Sequence, residues 1–401
     1  MKPAATVAPP AAVSPALAER LADWATGLPT PAFGLVRHAL RPSVARLHSE
    51  LGARVSYATK AGAHPRLLTE LARLVDEFNV TNIEHLDGLL DIGVPVERIS
   101  YLHPVLPPAV LRAALDRGVR RFVVDDQRGL DLLLDAGEPA AITLRMLPPE
   151  PGETDRSVVR FGNTANGLHE VARKAVSTGL TVEAVSFFVG TAGKGMAAAT
   201  PFLAGIQALA ELHRRLSADG IDVKVINIGG GFPGARRRFH LEHPGFFARI
   251  RAALDAEFDR DLTVICEPGR YLAEPTLVLL ARVIADRCCA GRRLVYLDAG
   301  AYSGLFEHSF IDPGIALPVW PDPAADGPWT PAHLLGPVMD SFDVIGTALH
   351  LPPLSDGALV AMPNVGAYAV GYSAPCEGQC APEIIALPDE LSAALSEEWY
   401  P

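Results

Sequence analysis

The sequence predicts an α/β protein: a (β/α)8 TIM barrel followed by a second, C-terminal domain of β-sandwich or β-barrel type. From Val55 onward, short β-branched apolar runs alternate with amphipathic helical stretches, the pattern of a parallel sheet with crossover helices. Eight such runs precede Pro268, the number that closes a barrel. After Pro268 the runs become longer, with Pro-, Gly- and Asp-rich loops between them and no comparable helices.

The eight expected strands are Val55–Thr59, Phe78–Thr81, Ile99–Leu102, Phe122–Asp125, Ile142–Met146, Val185–Val189, Val223–Ile228 and Leu262–Cys266. Between the first two, Leu67, Leu68, Leu71 and Leu74 share one helical face, as a helix lying on a barrel requires. Leu203–Leu216 has the same pattern. Further strands are expected at Thr276–Ile284, Leu294–Leu297, Phe342–Leu349 and Ala358–Met362, with Pro318–Pro331 as a surface excursion. The expected domains are an N-terminal extension over 1–30, open to joining the β domain, the barrel over 31–270 and the β domain over 271–401.

The chain has 401 residues, 49% hydrophobic and 20% charged, which supports a large core and excludes intrinsic disorder. Its net charge of −11, from 46 acidic and 35 basic residues, argues against nucleic acid as a partner, and Arg236-Arg237-Arg238 is only a short basic cluster. No apolar run reaches the roughly 18 residues of a membrane helix, and Met1–Ala18 lacks the basic start of a secretory signal, so a cytoplasmic protein without a membrane partner is expected. The cysteines, Cys266, Cys288, Cys289, Cys376 and Cys380, are odd in number and carry no metal-ligand spacing. Structural thiols and no metal are expected, with Cys376 and Cys380 pairing or binding a metal as the minor alternative.

Chemistry in such barrels sits at the C-terminal ends of strands, with phosphate held after the seventh and eighth. Here Lys60 ends the first strand, Arg145 lies on the fifth, the seventh runs into Gly229-Gly230-Gly231, and the eighth delivers Glu267-Pro268-Gly269-Arg270. Three glycines expose backbone N–H groups at close approach, which suits a phosphate, although a tight turn explains a glycine triplet equally. A lysine, an anion cradle and a carboxylate at one barrel mouth make a pyridoxal phosphate Schiff base plausible.

Six motifs then appear in order: Tyr57-Ala58-Thr59-Lys60-Ala61, Val185-Ser186-Phe187-Phe188-Val189-Gly190-Thr191, Asn227-Ile228-Gly229-Gly230-Gly231-Phe232-Pro233-Gly234, Cys266-Glu267-Pro268-Gly269-Arg270-Tyr271, Gly336-Pro337-Val338-Met339-Asp340-Ser341-Phe342-Asp343 and Asn364-Val365-Gly366-Ala367-Tyr368. Over about residues 30–390 this series resembles the fold-type III, alanine-racemase-like pyridoxal phosphate decarboxylases, the ornithine/diaminopimelate/arginine decarboxylase family. Alanine racemase shares the fold, but the Glu-Pro-Gly-Arg and Gly-Pro-x-x-Asp blocks favour the decarboxylase branch.

The resemblance implies a head-to-tail homodimer with shared active sites, each barrel completed by the partner's β domain. It implies that Lys60 holds the cofactor and that Glu267 keeps its pyridine nitrogen protonated. Gly230, Gly231, Arg270 and Tyr368 would hold the phosphate, with Thr191 a further candidate, and Arg145 would lie near the ring and its hydroxyl. Outside that context Glu267 reads as a turn acid and Tyr368 as a core aromatic.

The sequence also departs from the family. Phe188 stands where the family has a histidine stacked on the cofactor, and Met339 where it has a cysteine that helps protonate the substrate Cα. A thioether has no proton to give. Lys60, a tyrosine or water is then left to protonate Cα; alternatively the proton goes to the cofactor, giving decarboxylative transamination, or the chain binds without catalysis. Neither Asn79, Glu84 nor His85 aligns with the family's acid after the second strand, and Cys376-Glu377-Gly378 replaces Phe-Asn-Gly.

Asp340 matches the aspartate that faces the substrate side chain in ornithine- and lysine-type members, and Asp312 lies close to a second such position. With Tyr302, these are the candidate substrate contacts. Two carboxylates around a pocket favour a cationic tail, since an anionic tail is repelled and an apolar one leaves them unpaired. Decarboxylation of a basic amino acid is therefore the first expectation, although Asp312-Pro313-Gly314 also reads as a turn. A modified or carrier-linked amino acid and a non-catalytic regulatory homologue are the alternatives.

Overall fold

The computed structural model describes residues 14–147, 160–190, 199–234, 243–311, 327–379 and 381–399. Thr191, Asp312, Cys380, the Arg236-Arg237-Arg238 cluster and most of Pro318–Pro331 lie outside them. The chain divides into two compact units, one comprising Arg41–Pro233 and Phe239–Tyr271, the other taking the segment up to Leu40 and the chain from Leu272 onward. Strand β1 (Ala32–Leu35) therefore belongs to the second unit, although residues 31–40 were expected in the barrel.

The first unit is a closed parallel barrel of β2 (Arg54–Ala58), β3 (Glu77–Val80), β4 (Ile99–Tyr101), β5 (Arg121–Val124), β6 (Ala141–Met146), β7 (Thr181–Phe187), β8 (Val225–Asn227) and β9 (Thr263–Cys266). Each coincides with an expected run to within a few residues. Pairing of Arg54 with Ile265 and of Val55 with Cys266 closes the ring. Continuous apolar strands suit this architecture, because helices cover the outer face and packed side chains fill the interior.

The crossover helices obey local rules. In Pro65–Ala72, Leu67, Leu68 and Leu71 are buried, and Leu74 falls beyond the helix end. Asn82, Asp126 and Thr164 each accept a backbone N–H at a helix start, satisfying a donor the helix leaves open. At the opposite end from the strand tips, the buried Glu77 carboxylate pairs with Arg54 at 2.7 Å and Arg121 at 3.0 Å, tying three strands together.

The second unit is a seven-stranded mixed sheet, in the order β13-β12-β11-β10-β1-β15 with β14 also on β10. These strands are β10 (Leu277–Cys289), β11 (Arg292–Leu297), β12 (Thr330–Leu335), β13 (Val344–Leu351), β14 (Leu359–Met362) and β15 (Glu383–Ala386). Strand β10 is the hub: its first half pairs with β1 and β14, its second with β11, and the register shifts between Val283 and Ala285.

Contrary to the helix-poor pattern expected after Pro268, helix Asp389–Trp399 packs Leu391 and Leu395 into one apolar cluster with Leu17, Leu21 and Ala25 of helix Pro15–Ala25 and with Val278 and Leu280 of β10. Cys266 is buried, whereas Cys288 and Cys289 are exposed at the end of β10 and Cys376 is a free, half-buried thiol. Among the described residues no helix is long and apolar enough to cross a membrane.

Helix Thr200–Ala218 approaches β7 through Gly205, where an added Cβ would enter the Phe187 ring. Gly205→Ala should therefore destabilise the barrel by about 1–3 kcal/mol through overpacking, read as a lower thermal midpoint in calorimetry. An unchanged midpoint would mean that helix and strand can separate freely.

Candidate active site

The C-terminal ends of the barrel strands gather Lys60, Arg145, Phe188, Gly230, Gly231, Glu267 and Arg270. Lys60 sits in the single turn Thr59–Ala61 after β2, and Gly269 packs under that turn, where an added Cβ would lie 3.1 Å from Ala61. Glu267 follows β9, the strand hydrogen-bonded to β2, so barrel closure itself makes amine and carboxylate neighbours. The Lys60 Nζ lies 5.8 Å from the Phe188 ring centroid. The Arg145 guanidinium lies 5.5 Å from the centroids of both Phe188 and Phe161. These are cation–π distances, and the rings replace part of the water that Arg145 gives up.

The turn after β8 requires glycine for two separate reasons. Gly229 and Gly231 have φ of +66° and +94°, the left-handed region that side chains rarely adopt. At Gly230 an added Cβ would lie 2.5 Å from the Glu267 carbonyl oxygen, and at Gly231 2.5 Å from that of Gly190. A close-approach backbone cradle, with buried Arg270 two residues after Pro268, fits an anionic phosphate.

The electrostatics fit an aldehyde-bearing cofactor with a basic ring. Lys60 is accessible at the mouth yet surrounded by protein, and this desolvation lowers its pKa; Glu267 opposes the shift, while Arg145 and Arg160 add to it. Burial pushes the Glu267 carboxyl up, against the Asn227 hydrogen bond and the charges of Arg145 and Lys60. Burial also lowers the Arg145 pKa, opposed by Glu267 and Asp125. An amine shifted toward its neutral form is the nucleophile that an aldehyde needs.

The remaining candidates lie on the sheet unit. Asp340 accepts hydrogen bonds from the Tyr302 hydroxyl and from Phe342 N at 3.0 Å. These donors hold its carboxyl below the usual range, while the same bond to Asp340 pushes the Tyr302 hydroxyl up to about 12. Met339 is 92% exposed, and its N–H donates to Glu377 at 2.8 Å. The loop that carries both is shaped by buried Asp343, which accepts from Ala301 N and Val338 N. Tyr368 has φ of +62° and stacks on Tyr372 at 5.5 Å. Glu84 is exposed on helix Ile83–Asp91.

Sequence reasoning missed several neighbours. Asn227 binds Glu267, and Asp125 accepts from Gly162 N at 2.8 Å and so anchors the segment that brings Phe161 over Arg145. Both are polar residues at the end of an apolar strand, and that position was the available signal. His85 lies 3.3 Å from the Thr59 hydroxyl, beside the lysine turn.

A family model described as "Pyridoxal-dependent decarboxylase, pyridoxal binding domain" matches residues 37–274. Ornithine decarboxylase of Schizosaccharomyces pombe is 27% identical over 347 residues, covering 84% of this chain and 78% of that protein. Antizyme inhibitor 2 of Xenopus laevis is 27% identical over 351 residues, covering 83% and 75%. The crystal structure of lysine/ornithine decarboxylase from Vibrio vulnificus, complexed with putrescine, shares the fold, with a TM-score of 0.83 at 23% identity over 94% of this chain and 99% of that one.

Removing the Arg145 charge should raise the Lys60 pKa, because that cation disfavours a second positive charge nearby. In Arg145→Met, the pH profile for capture of pyridoxal phosphate, followed by stopped-flow absorbance at saturating cofactor, should therefore shift to higher pH. A shift to lower pH would contradict the assigned coupling.

Proposed function

The chain belongs to the pyridoxal-dependent decarboxylases, and from that premise we propose that it removes the α-carboxylate of an amino acid with a cationic side chain, of ornithine or lysine type. The observation that carries the reading is the pairing of β2 with β9, which sets Lys60 and Glu267 side by side at the barrel mouth. Bound pyridoxal phosphate supplies the electron sink for the pair left on Cα as carbon dioxide departs. Lys60 would hold the cofactor through its aldehyde carbon. Glu267 would keep a proton on the ring nitrogen, and the Gly229-Gly230-Gly231 turn with Arg270 would receive the phosphate. Phe188 and Phe161 flank Arg145 and restrict water there.

The substrate preference is supported by Asp340, whose carboxylate is fixed by Tyr302 and Phe342 N in its charged form and so favours an ammonium tail. Asp312, Thr191 and Tyr368 keep their proposed roles at the substrate tail and the phosphate. The reading includes a homodimer whose sheet unit completes the partner's barrel. Met339 and Phe342, 92% and 65% exposed on one loop, support it, because adjacent apolar side chains gain by being covered.

A substrate panel tests the preference. Carbon dioxide release from lysine or ornithine, with Asp340→Asn raising KM about tenfold or more through loss of a charged contact, is the expected result. Failure of ornithine, lysine, arginine and meso-diaminopimelate alike would move the reading to a modified or carrier-linked amino acid.

Met339 favours one second reading, decarboxylative transamination, since the residue on this exposed loop carries no transferable proton. Under it the wild-type protein produces aldehyde and pyridoxamine phosphate, and Met339→Cys shifts the ratio toward amine. A wild-type product that is only amine, by mass spectrometry, removes this reading.

A further inference from the structure

Asn227 ends β8 and is 4% exposed. Its Oδ1 accepts the Gly229 N–H at 2.8 Å, which fixes the amide's orientation. The nitrogen is thereby the atom facing Glu267, and it donates to Oε1 at 2.6 Å. The backbone reinforces the link, with Glu267 N donating to Gly229 O at 2.8 Å. Among the described residues Glu267 Oε2 accepts no hydrogen bond, so one carboxylate oxygen is committed and the other is left for a ligand.

We infer that Asn227 is a positioning residue of the cofactor site: its one amide holds the Glu267 carboxylate in place, leaves Oε2 for the cofactor's ring nitrogen, and ties that contact to the glycine turn that receives the phosphate. The inference rests on the pyridoxal phosphate reading above and adds to it a residue that acts through Glu267 and the glycine turn. A neutral donor is the chemically fitting group there. Burial drives Glu267 toward its protonated form, and the Asn227 amide, Arg145 and Lys60 are the groups that oppose this; the preceding Cys266 thiol is buried and pushed up, so it stays neutral. A protonated Glu267 has no charge with which to hold a proton on the ring nitrogen.

Asp is nearly the same shape as Asn, but when ionised it donates nothing. At low pH two adjacent carboxyls share a proton, which restores the donor; at higher pH that proton leaves. Asn227→Asp is thus a conservative variant whose rescue depends on pH. Asn227→Leu removes the donor at every pH.

The experiment measures the dissociation constant for pyridoxal phosphate by fluorescence titration of wild type, Asn227→Asp and Asn227→Leu over roughly pH 6 to 9, with circular dichroism of each apo form. The leucine variant is expected to bind about tenfold or more weakly throughout. The aspartate variant should bind near the wild-type level at the acid end and weaken as pH rises, a break absent from wild type. An aspartate variant that tracks wild type across the range, or a leucine variant that binds as wild type does, overturns the inference; the near-isosteric aspartate decides the matter if leucine prevents folding. Loss of the premise is visible separately, since a wild-type protein that gains no visible absorbance with pyridoxal phosphate removes the cofactor reading and this inference together.

Discussion

The Glu267 carboxyl sits in a setting that disfavours its charge, and much of the barrel mouth is arranged around that constraint. A carboxylate taken out of water costs several kcal/mol unless charges and donors replace the lost solvent. Here the replacements come from three other strands: Lys60 after β2, Arg145 on β6 and Asn227 on β8. Each partner is altered in return. Lys60 moves toward its neutral, nucleophilic form because it is desolvated and crowded by Arg145 and Arg160, while Glu267 limits how far it moves. The same few charges thus set the protonation of both the Lys60 amine and the Glu267 carboxyl.

Holding those charges in register is the work of the scaffold. The β2–β9 pairing closes the barrel, and Gly269 under the lysine turn lets the two strand ends approach. Flexible placement would forfeit the coupling, because Coulomb interactions in a partly desolvated site change steeply over an ångström or so. The opposite end of the barrel, with Glu77 between Arg54 and Arg121, contributes stability without chemistry. This separation of a reactive end from a structural end is characteristic of (β/α)8 barrels.

The barrel was legible in the sequence because buried parallel strands leave continuous apolar runs, and all eight appear where those runs lie. The sheet unit was less so. Strand β1 is four residues long and fully buried, too short to show a period. Strand β12 contains Pro331, which argues against a strand unless pairing elsewhere enforces it. Helix Asp389–Trp399 has an acidic first turn and a Leu391/Leu395 spacing but follows a Pro- and Gly-rich stretch that masks it. At the barrel mouth, Lys60, Arg145 and Glu267 could be singled out by strand-end position. Asn227 shares that position, but what it does depends on the carboxylate it touches 40 positions away, and Phe161 carries no such signal, since its place is set by a guanidinium on β6.

Lys60 is the proposed amine that holds pyridoxal phosphate. Incubation with the cofactor, reduction with borohydride and peptide mapping by mass spectrometry tests it directly. A pyridoxyl-phosphate adduct on the peptide containing Lys60, absent in Lys60→Ala, is the predicted result. Stoichiometric modification of a different lysine in wild type, or undiminished labelling of Lys60→Ala, would contradict the account.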